Sequence, residues 1–316
     1  MYCIVSTYSK TFDEIGLTYF IPDFLRWKIK KWQLVQIPLK DKIEDAIVLD
    51  ILKKENSNID KNKIKSLINI KNNNVLIKDY QLELISWISR YYFTAIHNSL
   101  NLTIPRNTKD KLSKEKLNLE KTKKYNYSYK KEKKLSQKQE KAYKQIKNSN
   151  NRNILFHWIT WSWKTEIYIK LIKNNLDSWK QSLLLIPEII LWNQIWDKIK
   201  KVFWEEVIII NSSITEATKT KYWIDIHSGN AKIIVWTRSA MFYPYENLWL
   251  IIIDEEHDNS YISDNSPRYK TNEVVRKISE LLKIKVILAS WTPSIKTMYE
   301  AMKGKYELVS LLEKWK

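Results

Sequence analysis

The stretch that decides the fold is NILFHWITWSWKTEIYIKLIKN, residues 153–174. Its first five residues form an apolar run typical of a buried β-strand, and residues 166–174 are typical of a helix. A phosphate-binding loop between such a strand and helix requires G-x-x-x-x-G-K-[ST], and Lys164 and Thr165 stand in register with its last two positions. Both glycine positions, Trp158 and Trp163, hold tryptophan, as does Trp161 between them. Read literally, three indoles would fill the space in which backbone N–H groups must surround a phosphate.

Tryptophan is over-used and glycine under-used throughout the chain. The 316 residues include 15 Trp and only 3 Gly, whereas average usage of about 7% predicts roughly 22 glycines. Trp179, Trp236 and Trp249 also stand where a turn or a tight approach favours glycine. We interpret these positions as glycines whose UGA codons are written as Trp. Mutational decay of the gene is the alternative, but decay would not select tryptophan at glycine sites.

From residue 135 onward, apolar strand-like runs alternate with amphipathic helices. The runs are NILFH (153–157), SLLLIP (182–187), VIIIN (207–211), KIIVW (232–236), LIIID (250–254) and VILAS (286–290). Continuous apolar strands separated by helices indicate a parallel sheet covered on both faces. The sequence therefore predicts a doubly wound α/β domain, in which ligands bind at the carboxyl ends of the strands.

Two further motifs follow strands of this predicted domain. Asp254, Glu255, Glu256 and His257 come directly after LIII, where an acid can hold Mg²⁺ and the next carboxylate can polarise an attacking water. Alone, an acidic strand end is often a helix cap, but a Lys-Thr loop about 90 residues upstream makes the combination specific. SWTPS (290–294) follows another strand and is similar to the S-A-T motif of helicases.

The first third of the chain has a different sequence pattern. TYFIPDF (18–24), QLVQIPL (33–39) and DAIVLDIL (45–52) predict strands, and residues 79–93 have helical spacing, so residues 1–105 predict a small β-rich domain that ends in a helix. Residues 106–134 are lysine-rich and too poor in apolar residues for a core. We interpret them as a solvated linker or flexible arm, with contacts to a DNA backbone as the alternative.

Composition excludes several classes of protein. A single cysteine, Cys3, rules out a disulfide framework and a cysteine-based zinc site within this sequence. No apolar run approaches 18 residues and no signal-peptide pattern is present, so a cytoplasmic protein without a membrane partner is expected. The net charge of +19 favours a polyanionic partner such as nucleic acid. AT-rich codon usage, which enriches lysine, is the alternative explanation of that charge.

With glycine read for tryptophan, these motifs resemble the PriA family of superfamily 2 replication-restart DNA helicases. The resemblance rests on FHWITWSWKTEIY, LLLIPEI, WTRSAMFYPYENLWLIIIDEEHDNSY, SPRY and SWTPS. The long run from TRSA to DEEHDNSY argues against another superfamily 2 motor. TFDEIGLTYFIPDFLRWKIKKWQLVQIPL resembles the family's 3′-DNA-end-binding domain, and Leu135–Gln139 resembles its Q-like motif. The family therefore implies a RecA-like P-loop lobe at 135–316, preceded by a DNA-binding domain at 1–105.

The resemblance implies roles for individual residues. ATP would be bound by Trp158, Trp161, Ser162, Trp163, Lys164, Thr165 and, at the adenine, Gln139. Mg²⁺ would be held by Thr165 and, through water, by Asp254, while Glu255 would orient the hydrolytic water. His257 would link the nucleotide site to the segment that follows, with a buried structural histidine as the alternative. DNA would be contacted by Arg238, Ser239, Tyr261, Arg268 and Tyr269, the last three by stacking on bases; surface packing is the alternative for those three.

The resemblance also indicates which tryptophans stand at family glycines and where this sequence departs from the family. Trp87 and Trp223 fall at family tryptophans, whereas Trp32, Trp158, Trp161, Trp163, Trp179, Trp204, Trp236 and Trp249 fall at family glycines. Trp27, Trp192, Trp196 and Trp315 are undecided, and Trp291 stands where the family usually has alanine. The sequence ends at Lys316, soon after SWTPS, so the second RecA-like lobe and the zinc-binding region are expected to be absent.

These features predict the N-terminal portion of a 3′→5′ replication-restart helicase, an ATP- and Mg²⁺-dependent ATPase that is weak on its own. The expected partners are forked and single-stranded DNA with 3′ ends and, by resemblance, other primosome proteins and single-strand-binding protein. The alternative is a non-catalytic fork-binding protein with a degenerate motor lobe.

Overall fold

The chain is divided into two compact units in a computed structural model. The first unit comprises residues 1–120 and 265–268, and the second comprises residues 121–264 and 269–316. The structure describes residues 1–7, 16–53, 64–71, 77–113, 119, 122–127, 129, 133–159, 164–187, 192–203, 206–209 and 214–311.

The first unit is a five-stranded antiparallel sheet with helices. Its elements are β1 (Tyr2–Thr7), β2 (Leu17–Phe20), β3 (Leu34–Leu39), β4 (Lys42–Leu52), β5 (Asn69–Ile70), α1 (Asp79–Tyr91), α2 (Ile96–Leu100) and α3 (Arg106–Ser113). The strand order is β2-β1-β4-β3-β5. The predicted β-rich domain is confirmed, and the three predicted strands correspond to β2, β3 and β4.

The core of the first unit forms because apolar side chains of β1, β3 and β4 alternate onto one face. Val5, Ile37 and Val48 are fully buried in this core. Gly16 precedes β2 with φ +102°, and a Cβ atom at this position would lie 2.8 Å from the Val5 carbonyl oxygen. This close approach therefore requires glycine.

The second unit is a seven-stranded parallel sheet flanked by helices. Its elements are α4 (Gln137–Asn148), β6 (Asn153–Trp158), α5 (Lys164–Leu176), β7 (Gln181–Leu185), α6 (Trp192–Phe203), β8 (Val207–Ile209), α7 (Glu216–His227), β9 (Ile233–Trp236), β10 (Leu248–Asp254), α8 (Thr271–Leu282), β11 (Lys285–Ser290), α9 (Ile295–Met302) and β12 (Glu307–Leu311). The strand order is β12-β6-β11-β10-β7-β9-β8, and every ladder is parallel. The predicted α/β class is confirmed.

Local sequence explains where these elements begin. All five residues of β7 and all four of β9 are buried, as continuous apolar runs in a covered sheet require. Ser136 caps α4 in a capping box with Gln139, and Thr215 and Ser294 accept hydrogen bonds from the first turns of α7 and α9. Strand β12 was not among the predicted strands, although its alternating pattern ELVSL is typical of an edge strand.

The described parts of residues 106–134, which were predicted to form a solvated linker or flexible arm, have defined structure. Residues 106–113 form α3, and residues 122–127 and 129 belong to the second unit. Residues 122–127 and 129 form a tyrosine strap, in which the Tyr127 ring packs against the core of the second unit. Tyrosine rings supply the apolar surface that a count of aliphatic residues overlooks.

Trp179 occupies a backbone position that is typical of glycine. The N–H of Lys180 donates to the Asn175 carbonyl and the N–H of Trp179 to that of Leu176, which places Trp179 at the C′ position of a Schellman motif with φ 56°. Helix α9 ends with the same two hydrogen bonds, and there the C′ residue is Gly304 with φ 77°. This geometry supports the interpretation of Trp179 as a glycine.

We expect Trp179→Gly to raise the free energy of unfolding by about 1 kcal/mol, because glycine adopts the left-handed conformation without the strain of a Cβ atom. Trp179 is 65% exposed, so little packing is lost. Urea unfolding followed by circular dichroism measures the change. Trp27 is 95% exposed and lies outside the positive-φ positions, so Trp27→Gly is the control and should lower stability by about 0.5 kcal/mol. Equal effects of both substitutions would contradict the prediction.

Candidate nucleotide site

Three predicted motif segments meet at one edge of the parallel sheet. Strands β6, β11 and β10 are neighbours in that order, and the Lys-Thr segment, SWTPS and DEEH follow their carboxyl ends. The expectation that the motifs gather at the carboxyl ends of the strands is therefore fulfilled for the described residues. Helix α5 begins at Lys164, so Lys164 and Thr165 lie in its first turn.

The side chain of Lys164 pairs with both carboxylates of the acidic motif. Its Nζ lies 2.5 Å from Asp254 Oδ1 and 2.7 Å from Glu255 Oε1. The three side chains are 12%, 2% and 11% exposed, so the cluster is almost completely removed from water. A buried cation and two carboxylates attract strongly at this distance, and each would be costly to bury alone.

Glu255 combines a strained backbone with an unsatisfied side-chain oxygen. Its φ of 52° is in the left-handed region, which non-glycine residues adopt mainly at tight turns and functional sites. Its Oε2 is buried without a hydrogen-bond partner in the described part of the chain. Burial raises the pKa of Glu255, the contact with Lys164 lowers it, and the net direction is upward.

Two buried tyrosines, which were not predicted for these roles, hold Asp254 from different sides. The hydroxyl of Tyr168, on α5, donates to Asp254 Oδ1 at 2.9 Å. The hydroxyl of Tyr261 donates to the backbone carbonyl oxygen of Asp254 at 2.7 Å. Burial raises the pKa of both phenols well above the ordinary value, so both remain protonated donors.

The residues at this edge fit a magnesium ion and a phosphate. Asp254 supplies a carboxylate and Thr165 a hydroxyl, which are oxygen ligands of the kind that Mg²⁺ prefers. The unsatisfied Glu255 Oε2 provides an acceptor for a water molecule beside them. Lys164 provides the positive charge that phosphate oxygens require.

Trp158 crowds the one cation of this cluster. Its ring centroid lies 3.7 Å from Lys164 Nζ, and its buried Nε1 has no hydrogen-bond partner among the described residues. The crowding expected of a literal tryptophan is thus observed at this position. Trp161, Ser162 and Trp163, which were predicted to bind ATP, lie outside the described residues.

His257 and Glu256 connect the acidic motif to the SWTPS segment. His257 Nδ1 lies 2.7 Å from Ser290 Oγ, and the His257 side chain is 31% exposed, unlike a buried structural histidine. Glu256 is buried and accepts hydrogen bonds from the Ser294 backbone N–H at 2.7 Å and the Thr297 hydroxyl at 3.2 Å. Glu256 had no predicted role.

The residues predicted to contact DNA are placed differently from one another. Tyr261 and Tyr269 are buried: the Tyr261 hydroxyl donates to the Asp254 carbonyl, and Tyr269 packs edge-on against Phe242. Their stacking on bases stays a prediction. The resemblance to a DNA-binding loop implied exposed rings, but the two residues are only 3% and 4% exposed. Arg238 donates to the carbonyls of Ser260 and Ile262. The side chains of Ser239 and Arg268 are exposed.

Gln139, predicted to contact adenine, lies in the first turn of α4. Its Oε1 accepts the Ser136 backbone N–H at 2.9 Å, and its own N–H donates to Ser136 Oγ at 3.3 Å. The side chain is therefore fixed by the capping box, and the adenine contact stays a prediction.

The first unit carries an open groove of about 540 Å³ with aromatic and basic walls. Phe24 and Trp27 are exposed along it, together with Lys28 and Lys30. Aromatic rings that alternate with lysines are suited to bases and phosphates of single-stranded nucleic acid.

Two further features concern metal ions and membranes. The described residues contain no group of three His, Cys, Asp or Glu side chains arranged to hold a metal ion. Among the helices of the described ranges, none has both the length and the apolar character of a membrane span.

Both units contain stretches that are similar to known protein families. Residues 13–105 match the family model of the PriA 3′DNA-binding domain, and residues 136–301 match that of the DEAD/DEAH box helicases. Replication restart protein PriA of Rickettsia conorii is 36% identical over 300 residues, 95% of this chain and 44% of its own length. PriA of Bacillus subtilis is 39% identical over 166 residues, 52% of this chain and 21% of its own. The Pyrococcus furiosus Hef helicase domain is similar with a TM-score of 0.42 and 20% identity, over 56% of this chain and 38% of that chain.

Proposed function

This chain belongs to the DEAD/DEAH box helicase family and matches the N-terminal part of PriA, and we propose that it binds ATP·Mg²⁺ and DNA as the corresponding part of a replication restart helicase. The observation that carries the proposal is the contact of Lys164 with both Asp254 and Glu255. These side chains come from segments about 90 residues apart and meet in a nearly water-free cluster. A helix cap after β10 would not explain why both carboxylates contact Lys164 in the first turn of α5.

Each residue of the cluster has a defined task in this proposal. Asp254 and Thr165 would hold Mg²⁺, which would supply positive charge to offset that of the phosphates. Lys164 exchanges its carboxylate partners for phosphate oxygens. Glu255 uses its unsatisfied Oε2 to orient the water that attacks the γ-phosphate.

The first unit supplies the proposed DNA contact. The family model matched by residues 13–105 is a 3′DNA-binding domain, and the basic, aromatic groove with Phe24 and Lys28 offers stacking and charge. We propose binding of 3′ ends at forked DNA. The chain spans 44% of the length of its Rickettsia conorii relative, and 3′→5′ translocation, primosome assembly and contact with single-strand-binding protein are proposed for a whole enzyme of this type, acting in the cytoplasm.

The decisive experiment restores glycine to the phosphate loop. In the variant W158G/W161G/W163G, we expect a fluorescent ATP analogue to bind with a dissociation constant of roughly 1 µM to 1 mM in the presence of Mg²⁺. The unsubstituted chain should not bind, because the Trp158 ring lies on Lys164, where the phosphate would have to approach. Adding Lys164→Ala to the restored chain should weaken binding at least about 10-fold, since a charge-assisted contact with phosphate is lost.

The outcome separates the proposal from its alternative. If the restored chain binds neither ATP nor ADP, while both versions bind forked DNA, the chain is a non-catalytic fork-binding protein. The position of the Trp158 ring on Lys164 favours that second function for the chain with literal tryptophans. Adding Thr165→Val to the restored chain tests magnesium-dependent binding if Lys164→Ala fails to fold.

A further inference from the structure

Tyr168 contributes a buried hydroxyl to the centre of the nucleotide site. The residue is completely buried on α5, one helical turn after Lys164, so both side chains lie on the same face of the helix. Among the described residues, the hydroxyl makes one hydrogen bond, to Asp254 Oδ1 at 2.9 Å. Packing alone would be served better by phenylalanine, because a hydroxyl is costly to bury unless it has a partner.

The two donors to the Asp254 carboxylate, Lys164 and Tyr168, differ in what they do when a nucleotide binds. Lys164 Nζ and the Tyr168 hydroxyl both contact Oδ1, and no described residue donates to Oδ2. In the proposed function Lys164 turns to the phosphates, whereas Tyr168 has no phosphate to contact from its buried position. Tyr168 then remains as the donor that fixes Oδ1 and leaves Oδ2 available.

We propose that Tyr168 is a positioning residue that holds the Asp254 carboxylate in the orientation in which it serves Mg²⁺. This inference rests on the proposed function. Hydrogen bonds to a metal-binding carboxylate restrict its rotation and thereby raise the affinity for the metal. Tyr261 complements Tyr168 by holding the backbone carbonyl of the same residue.

The test uses the glycine-restored full chain W158G/W161G/W163G with Tyr168→Phe added. The measured quantity is the Mg²⁺ concentration that gives half-maximal binding of a fluorescent ADP analogue. We expect Tyr168→Phe to raise this concentration about 10- to 100-fold, and to leave the ADP affinity in EDTA unchanged. Tyr168→Met also fills the site without a hydroxyl and should reproduce the shift.

The matched control is Tyr245→Phe in the same restored chain. Tyr245 is buried in the same unit, and its hydroxyl donates to the Ala240 carbonyl at 3.0 Å, not to Asp254. This control should lower the melting temperature without moving the Mg²⁺ midpoint. If Tyr168→Phe does the same, Tyr168 is merely structural and the inference fails while the proposed function stands. If the restored parent binds no nucleotide, both fail together.

Discussion

Lys164→Met is expected to lower the free energy of unfolding by about 3–5 kcal/mol at pH 7.5. Methionine keeps an unbranched side chain only one atom shorter, so the substitution removes the charge without opening a large cavity. Asp254 and Glu255 then remain buried at 2% and 11% side-chain exposure without the cation that both contact. Urea unfolding at a series of pH values measures the loss.

The loss of stability caused by Lys164→Met should become smaller as the pH falls. Burial already raises the pKa of Glu255, and removal of the Lys164 charge raises the pKa further. The folded variant therefore binds a proton more tightly than the unfolded chain, and its deficit should shrink as the pH falls toward the raised pKa. Adding Glu255→Gln should recover part of the stability at neutral pH.

Lys170→Met is the control for this prediction. Lys170 lies on the same helix and pairs with Glu140 at 2.7 Å, but both side chains are about one third exposed. Its loss should cost less than about 1 kcal/mol, because water screens the pair. Equal costs for the two substitutions would show that Lys164 is not held in a buried charge cluster.

The site residues that could be predicted from sequence are those whose positions are determined by the ends of strands. Lys164 and Asp254 follow apolar runs, and parallel strands bring their carboxyl ends to one edge of the sheet. Predicting that Lys164 and Asp254 lie close together therefore required only the order of the apolar runs and the types of residue that follow them. The apolar runs also predicted the fold class of both units, because the pattern of a strand can be recognised from consecutive residues.

The parts that sequence could not give depend on partners far away in the chain. Tyr168 looks like one more apolar residue of α5, and its acceptor lies 86 residues further on. Tyr261 was predicted, through the resemblance, to stack on bases, yet its ring is buried. Whether an aromatic ring turns inward is decided by the space beneath it, which local sequence does not encode.

Tyr125→Phe is expected to destabilise the second unit by about 2 kcal/mol. Asp225, on α7, is completely buried, and its two carboxylate oxygens accept hydrogen bonds from the tyrosine strap. The Lys123 backbone N–H donates to Oδ1 at 2.9 Å and the Tyr125 hydroxyl to Oδ2 at 2.8 Å. Phenylalanine would leave one oxygen of a buried carboxylate without that donor. Amide hydrogen exchange of residues 122–127 should accelerate about 30-fold, since each 1.4 kcal/mol corresponds to a factor of ten.

Tyr129→Phe separates the specific contact from a general loss of tyrosine hydroxyls. The Tyr129 hydroxyl donates to Asp177 Oδ1 at 3.1 Å, but the residue is 40% exposed, so water can replace the hydrogen bond. We expect a cost below about 0.5 kcal/mol for this control. If Tyr125→Phe is as mild as Tyr129→Phe, the buried Asp225 does not depend on the strap. A large effect of Tyr125→Phe alone would mean that hydrogen bonds to the buried Asp225 carboxylate attach the tyrosine strap to the second unit.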